Sequence, residues 1–306
     1  MAKCESIEEK QGSAPLEEIF DAVAAQSSGL ILPPKLYLVP TPIGNLGDIG
    51  VRAAMVLNAV AEIYCEDTRN SLKLLNALHI KKPLHSCHEH NEEQRASELY
   101  RKVCSGMPIA YISDAGMPCI SDPGERLIQH FIQNNAPFEI LPGANAALLA
   151  LIQSGLPTDK FYFCGFLPRS GADRNEIIEQ LKAINSTIVI YESPLRVGAT
   201  IAELHDKLGN RPAALVRELT KYYEETIRET LSELAAKYAD NPPKGECIIV
   251  LAGSEKREET TERAEKLIEM LLDAGCSTGD AAKIASFSFE KPKNKMYKLA
   301  MDIMNK

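Results

Sequence analysis

The sequence predicts an α/β protein of two lobes followed by a small helical tail, and three observations carry that prediction. Short apolar runs alternate with stretches of helical spacing along most of the chain, the pattern of a parallel or mixed sheet covered by helices. Most runs stop abruptly in Gly, Pro, Asp or Asn, which puts turn chemistry at the strand ends. From Glu255 onward the composition shifts to charged helix.

Residues 1–34 read as an N-terminal extension, with helical spacing at Leu16, Ile19, Phe20 and Val23. Residues 35–154 read as the first lobe. Its first strand, Leu36 to Val39, runs into Pro40-Thr41-Pro42-Ile43-Gly44-Asn45-Leu46-Gly47-Asp48, where the prolines end any central ladder. Asp48 is placed to cap a helix from Val51 to Val60. The second strand, Glu62 to Cys65, ends in Glu66-Asp67-Thr68-Arg69-Asn70, with Asp67 or Thr68 available as a helix cap. Leu84 to Glu93 reads as a loop opening the next helix, with Asn91 or a neighbour as its cap. The run Ile109 to Ile112 reads as a buried strand that stops in a tight loop, Ser113 to Gly124. A helix from Glu125 to Gln133, a strand from Phe138 to Leu141, the turn Pro142-Gly143-Ala144-Asn145 and an Ala/Leu-rich helix complete this lobe.

Residues 155–253 read as the second lobe, with strands Phe161 to Cys164, Thr187 to Tyr191, Ala213 to Val216 and Cys247 to Leu251. Helices occupy Asp173 to Ile184 and the stretch up to Leu208, and Tyr222 to Thr230 reads as an extended arm. Residues 254–306 read as a helical basic tail, where Lys291, Lys293, Lys295 and Lys298 form the dense basic run.

A formal charge of −8 argues against indiscriminate nucleic-acid binding and leaves room for a local basic patch. Eight cysteines without a CxxC pair, behind a polar, acidic stretch from Met1 to Lys10, suggest reduced thiols and a cytoplasmic protein. No stretch is long and apolar enough to cross a bilayer. Leu84 to Glu93 holds three histidines and a cysteine, but no second cluster with zinc-like spacing follows, so no metal is expected.

The strand ends are where a parallel sheet binds ligands. In the Ser113–Gly124 loop, Gly116 and Gly124 let backbone approach a ligand, while Asp114 and Asp122 supply carboxylates; there is no Gly-Lys-Ser to hold a triphosphate. That loop reads as a cradle for a small, partly polar cofactor, with an ordinary acidic turn as the alternative. At the end of the second strand, a carboxylate can accept a proton and Arg69 can pair with a phosphate.

Taken together, Leu36-Tyr37-Leu38-Val39-Pro40-Thr41-Pro42-Ile43-Gly44-Asn45-Leu46-Gly47-Asp48-Ile49, Cys65-Glu66-Asp67-Thr68-Arg69, the Ser113–Gly124 loop, Gly165-Phe166-Leu167-Pro168, Tyr191-Glu192-Ser193-Pro194-Leu195-Arg196 and Arg217-Glu218-Leu219-Thr220-Lys221 closely resemble the ribosomal RNA small-subunit methyltransferase I family. That family belongs to the tetrapyrrole methylase superfamily, and the resemblance covers roughly residues 35–253 in order. It implies a two-lobed tetrapyrrole-methylase-like fold, a homodimer, and S-adenosylmethionine in the cleft between lobes. It also implies methylation of a cytidine 2′-hydroxyl in small-subunit ribosomal RNA of the 30S subunit. Carried onto this chain, the cofactor contacts are Pro40, Ser113, Asp114, Ala115, Ile120, Ser121, Ala144 and Asn145, with Phe166 and Glu218 closing the pocket from the second lobe. Asp67, with Glu66 beside it, matches the carboxylate taken as the base in related methylases, and Arg69, Arg196 and Lys221 are the candidate RNA contacts. Met117 stands where the family commonly has threonine, and Asn145 where Ser or Cys is common. Two alternatives stay open at this point: a superfamily enzyme acting on a tetrapyrrole-like ring, and an RNA-binding assembly factor without chemistry.

Overall fold

A computed structural model describes residues 16–27, 29–254 and 256–304; the reading of Met1 to Lys10 lies outside them. Two five-stranded sheets organise the chain. The first is built from β1 (Leu36–Val39), β2 (Glu62–Cys65), β3 (Leu84–Ser86), β4 (Ile109–Ile112) and β5 (Phe138–Ile140) in the spatial order β3-β2-β4-β1-β5, all parallel. Its central strands β1 and β4 are buried throughout, which is why they read as unbroken apolar runs. One face is covered by α1 (Leu16–Ser27), α2 (Val51–Ala59) and α3 (Thr68–Ala77), through residues such as Phe20, Leu57 and Leu75. The other is covered by α4 (Glu92–Cys104) and α5 (Glu125–Gln133), through Leu99, Leu127 and Phe131.

The order of this sheet fixes where a ligand fits. From β1 the chain crosses toward the β3 edge, whereas from β4 it crosses toward the β5 edge. The neighbours β1 and β4 therefore send their connections in opposite directions and leave a crevice at their carboxyl ends, the position where open α/β sheets hold ligands.

The second sheet has the order β6-β7-β10-β8-β9, from β6 (Phe161–Phe166), β7 (Thr187–Glu192), β8 (Pro212–Arg217), β9 (Glu225–Thr230) and β10 (Cys247–Leu251). Here β6 and β7 are parallel, β10 runs antiparallel between β7 and β8, and β9 is an antiparallel edge. Its outer face is covered by α7 (Ala172–Ala183), α8 (Val197–Leu208) and α9 (Leu231–Lys237). Its inner face is covered by α6 (Ala146–Ser154), whose Ala147, Ala150 and Leu151 pack against Val189, Val216 and Val250. The helix that follows the last strand of the first sheet thus seats on the second sheet and couples the two. The tail forms its own core, with Ala264, Ile268, Ala281, Ala285, Met296 and Ala300 buried among α10 (Lys256–Asp273), α11 (Thr278–Ser288) and α12 (Lys293–Met304).

Several local expectations are corrected. Asp48 does not cap α2, which starts after Gly50 with no side-chain cap. Instead Asn45 opens a separate 3-10 turn, Leu46–Asp48, by accepting from the Gly47 N–H, and that turn uses up Asp48 before α2 begins. Leu84 to Ser86 is an edge strand beside β2, not loop. Asn91 precedes α4 without a side-chain cap bond, because its Oδ1 accepts from the His88 N–H. The arm before Thr230 is a paired strand, β9, and Thr230 then opens α9 with a capping box to Glu233.

Candidate functional site

The crevice is closed at its base by a backbone clasp. Thr41, just past β1, and Gly116, just past β4, exchange N–H···O bonds of 3.0 Å in both directions. The Thr41 hydroxyl donates to the Ser113 carbonyl at 3.2 Å, and the Ser113 hydroxyl donates to the Gly116 carbonyl at 2.7 Å. Thr41 and Ser113 are both buried, so their hydroxyls need these partners. Pro40 and Gly143 meet on one side: a Cβ at Gly143 would lie 2.5 Å from the Pro40 Cβ, so only glycine fits there.

Above the clasp lies a cavity of about 380 Å³, within the size range of small-molecule sites. The first sheet contributes the Ala115–Met117 and Ile120–Asp122 segments and Ile43, the start of α6 contributes Asn145 and Ala146, and the second sheet contributes Phe166, Tyr191, Val216 and Ile248. The Ile120–Asp122 segment is held in an unusual backbone shape, with positive φ at Cys119 (69°) and Ser121 (62°). Across the cavity, Glu218 (51°) and Thr220 (64°) are likewise left-handed. Each such residue costs of order 1–3 kcal/mol and persists only where its surroundings impose it. Here the imposing contacts are visible. The Tyr111 hydroxyl donates to the Pro123 carbonyl at 2.9 Å, and Gly124, at φ +127°, leaves no room for a Cβ against Cys119 and Tyr111. A bulge in β6 between Phe163 and Gly165 brings Gly165 beside Ser121 and closes the second sheet onto the same loop.

Among the sequence candidates, Ala115, Ile120, Ser121, Asn145 and Phe166 line the cavity. Pro40, Ser113, Asp114, Ala144 and Glu218 are not among the residues that line it. Ser113 is tied into the clasp, Asp114 accepts from the Asp67 N–H and the Asn70 amide, and Glu218 accepts from Lys221 at 2.8 Å and from the Glu246 N–H at 3.0 Å. Asn145 caps α6 by accepting from the Leu148 N–H at 3.1 Å, so it performs the short polar side chain's task at that turn. Met117 is part of the cavity wall.

The candidate catalytic and RNA-contacting residues divide sharply. Asp67 caps α3 through the Arg69 N–H at 2.8 Å and pairs with the Arg69 guanidinium at 2.6 Å. Those Arg69 bonds hold its carboxyl down at about 2, a weak acceptor for a proton. Arg69 itself is 86% exposed and faces solvent at the rim. Glu66 is shifted the other way: burial pushes its carboxyl up, as do Asp114 and Asp67 nearby. Arg196 is engaged within the fold, with Nε on Glu192 at 2.6 Å and Nη2 on the Leu167 carbonyl at 2.8 Å. Glu192 is fully covered and also accepts from the Thr200 hydroxyl at 2.7 Å, while Arg174 bonds Thr200, Glu203 and the Pro168 carbonyl. This network fixes the Gly165–Pro168 segment to the end of β7 and so shapes the cavity's second wall. Lys221 pairs with Glu218 and Glu246.

Asp122, whose place in the loop the sequence shows but whose role it leaves open, is a cavity carboxylate. It lies in the wall, and burial, followed by the Glu66 and Asp114 carboxylates, pushes its carboxyl up to about 7. Its apolar neighbourhood is not legible in the sequence because Tyr191 and Phe166 come from the other sheet. Among the described residues, no group of three His, Cys, Asp or Glu side chains converges to hold a metal ion.

Comparison with known proteins matches this architecture. The family model for Tetrapyrrole (Corrin/Porphyrin) Methylases matches residues 35–235. The ribosomal RNA small subunit methyltransferase I of Bacillus subtilis is 40% identical over 269 residues, covering 86% of this chain and 92% of that protein. The enzyme of the same name from Halalkalibacterium halodurans is 42% identical over 270 residues, covering 86% and 93%. The chain belongs to the ribosomal RNA small subunit methyltransferase I family. Among solved structures, uroporphyrin-III C-methyl transferase from Thermus thermophilus, complexed with S-adenyl homocysteine, is 18% identical with a TM-score of 0.51, over 71% of this chain and 97% of that one. That likeness extends the fold to the wider tetrapyrrole methylases.

Within this family member, the Arg196 network separates an internal role from an RNA contact. Arg196→Ala is expected to lower stability by roughly 3–5 kcal/mol, the range for removing one partner of a buried ion pair, because Glu192 keeps only the neutral donors Thr200 and Ser193. Urea denaturation of the two proteins measures it. An unchanged midpoint would place the importance of Arg196 outside the folded network.

Proposed function

We propose that this chain transfers a methyl group from S-adenosylmethionine to the 2′-hydroxyl of a cytidine in small-subunit ribosomal RNA. The observation that carries the reading is the cavity at the β1/β4 switch point in a chain of this family. Its residues fit the cofactor: Ile43, Ile120, Val216 and Ile248 give apolar surface for an adenosyl group, Ser121 and Asn145 offer polar edges, and carboxylates at the mouth favour a cation. Ala115, Ile120, Ser121, Asn145 and Phe166 would touch the cofactor. Pro40, Ser113, Asp114, Ala144 and Glu218 would set the backbone that does so.

S-adenosylmethionine supplies, when bound, a methyl group already activated by a sulfonium. The chain's residues then have to hold the ribose oxygen in line and receive its proton. Positioning of this kind can supply about 7–11 kcal/mol of the barrier. Proton acceptance falls to the acidic cluster at the mouth, where Glu66 and Asp67 are the sequence candidates. The Arg69 guanidinium is an exposed cation at that rim and suits a phosphate; Arg196 and Lys221 would reach RNA only by giving up Glu192 and Glu218.

The binding surface extends to the tail. Lys291, Lys293, Lys295 and Lys298 gather at the turn and first part of α12 beside the exposed Phe287 and Tyr297, an arrangement suited to a phosphate backbone. A homodimer is supported by apolar side chains left exposed on the sheet edges β5 and β6 and on α6, namely Ile140, Phe161, Tyr162 and Ile152. Division of the chain at residue 154 and a cytoplasmic location belong to the same proposal. Among the described residues, no helix is long and apolar enough to cross a membrane.

Three measurements test this reading. With labelled S-adenosylmethionine and unmethylated small ribosomal subunits, label should enter one cytidine ribose; label on a base, or none, would overturn the assignment. Replacing the four lysines with glutamate should weaken binding to that RNA and lower the slope of log affinity against log salt, by about 0.7–0.9 for each phosphate no longer neutralised. An unchanged slope would exclude the tail from the interface. Light scattering should give twice the chain mass, and Ile152→Glu with Tyr162→Glu should halve it; a monomeric wild type would remove the dimer.

A further inference from the structure

We infer that Asp122 is the catalytic residue that takes the proton from the reacting ribose hydroxyl, acting from inside the cavity wall. The inference rests on the methyl-transfer reading and assigns within it a role that neither of the rim residues, Glu66 and Asp67, fills as well.

Asp122 lies in the cavity wall, just after the left-handed residues Cys119 and Ser121, so a conformation the chain adopts at a cost places this residue at the cavity. Asp122 is also available to react. Among the described residues, every other carboxylate at the cavity or its rim is engaged except Glu66. Glu192 is held by Arg196 and Thr200, Glu246 by Lys221, Asp114 by Asn70 and the Asp67 N–H, and Asp67 by Arg69. Among the same residues, no hydrogen bond or ion pair ties the Asp122 carboxylate. Glu66 is also untied but stands outside the cavity wall.

The electrostatic surroundings suit the role. Burial, with the like charges of Glu66 at the end of β2 and Asp114 at the end of β4 adding to it, brings the Asp122 carboxyl to about 7. His88 lies near Glu66 and acts on its carboxyl in the opposite sense to the two aspartates. Tyr191 from β7 and Cys119 on its own loop are both pushed up to about 12, first by burial, and stay neutral. Glu192 on β7 and Glu246 just before β10 are held by Arg196, Thr200 and Lys221, and Glu125 opens the helix three residues later. A base whose strength matches neutral pH is more effective than one held far below it, and Asp67 is held far below it.

The step balances without any other reactant. The Asp122 carboxylate accepts the hydroxyl proton while the O–CH₃ bond forms and the S–CH₃ bond breaks. The cofactor's positive charge is lost as its sulfur becomes a neutral thioether, and the protonated Asp122 later releases its proton to water.

The test uses the full chain, unmethylated small subunits and single-turnover methyl transfer at saturating cofactor, from about pH 5.5 to about pH 8.5. The wild-type rate should rise about tenfold per pH unit at the acid end and level off above about 7. Asp122→Asn should still bind S-adenosylhomocysteine in calorimetry, lose about 10²–10⁴-fold in rate at saturating cofactor, and lose the acid limb. Asp122→Glu, which keeps a carboxylate, should recover part of the rate together with a pH-dependent limb. A near-wild-type rate for Asp122→Asn would overturn the inference, as would a loss of cofactor affinity that saturation repairs in full. If the wild type binds cofactor but transfers no methyl to the subunit, the underlying functional reading falls and takes this assignment with it.

Discussion

The clasp between Thr41 and Gly116 is the constraint on which the rest of the site depends. A parallel sheet sends its strand ends to one side, but nothing in the ladder itself holds the loops beyond β1 and β4 together. The paired backbone bonds between Thr41 and Gly116, reinforced by the buried Thr41 and Ser113 hydroxyls, supply that link. Because both loops are rich in proline and glycine, they can sit close without side chains between them. The cavity then forms above a floor made mostly of backbone.

The second sheet completes the site by two different means. Seating α6 on the sheet's inner face is an apolar contact, with small Ala147 and Ala150 allowing close approach to the strands. The Glu192 network is a polar one, and it spans β7, α7, α8 and the Gly165–Pro168 segment. The covered Glu192 carboxylate is tolerable only because Arg196, Thr200 and the Ser193 N–H all donate to it. A wall fixed this way keeps Phe166 and Tyr191 over the cavity and withdraws Arg196 from solvent.

Much of the fold was legible because the central strands are buried on both faces and so appear as unbroken apolar runs, and because the turns after them carry proline and glycine. What was missed has local physical causes. β3 is a three-residue edge strand whose residues are only partly buried, so Leu84-His85-Ser86 leaves no apolar run. β9 pairs with β8 but carries Glu225, Arg228 and Glu229 and has no buried residue, so its pattern resembles a solvated arm. For the site, loop membership was readable but side-chain commitments were not. Arg196 looks like a free cation until Glu192 is seen to be buried beside it, and Asp67 looks like a base until Arg69 folds back on it two residues later. Asp122 gains its character first from burial and then from Glu66 and Asp114, which sequence separates widely and the sheet brings together.

The two sheets meet to form the cofactor site, and a crystal structure of the chain with S-adenosylhomocysteine shows whether they do. The ligand is expected between the Ile120–Asp122 segment and Phe166, above the Thr41–Gly116 clasp, with Asn145 and Ser121 at its polar edges. A ligand seated elsewhere on the chain, with this cavity empty, would overturn that placement.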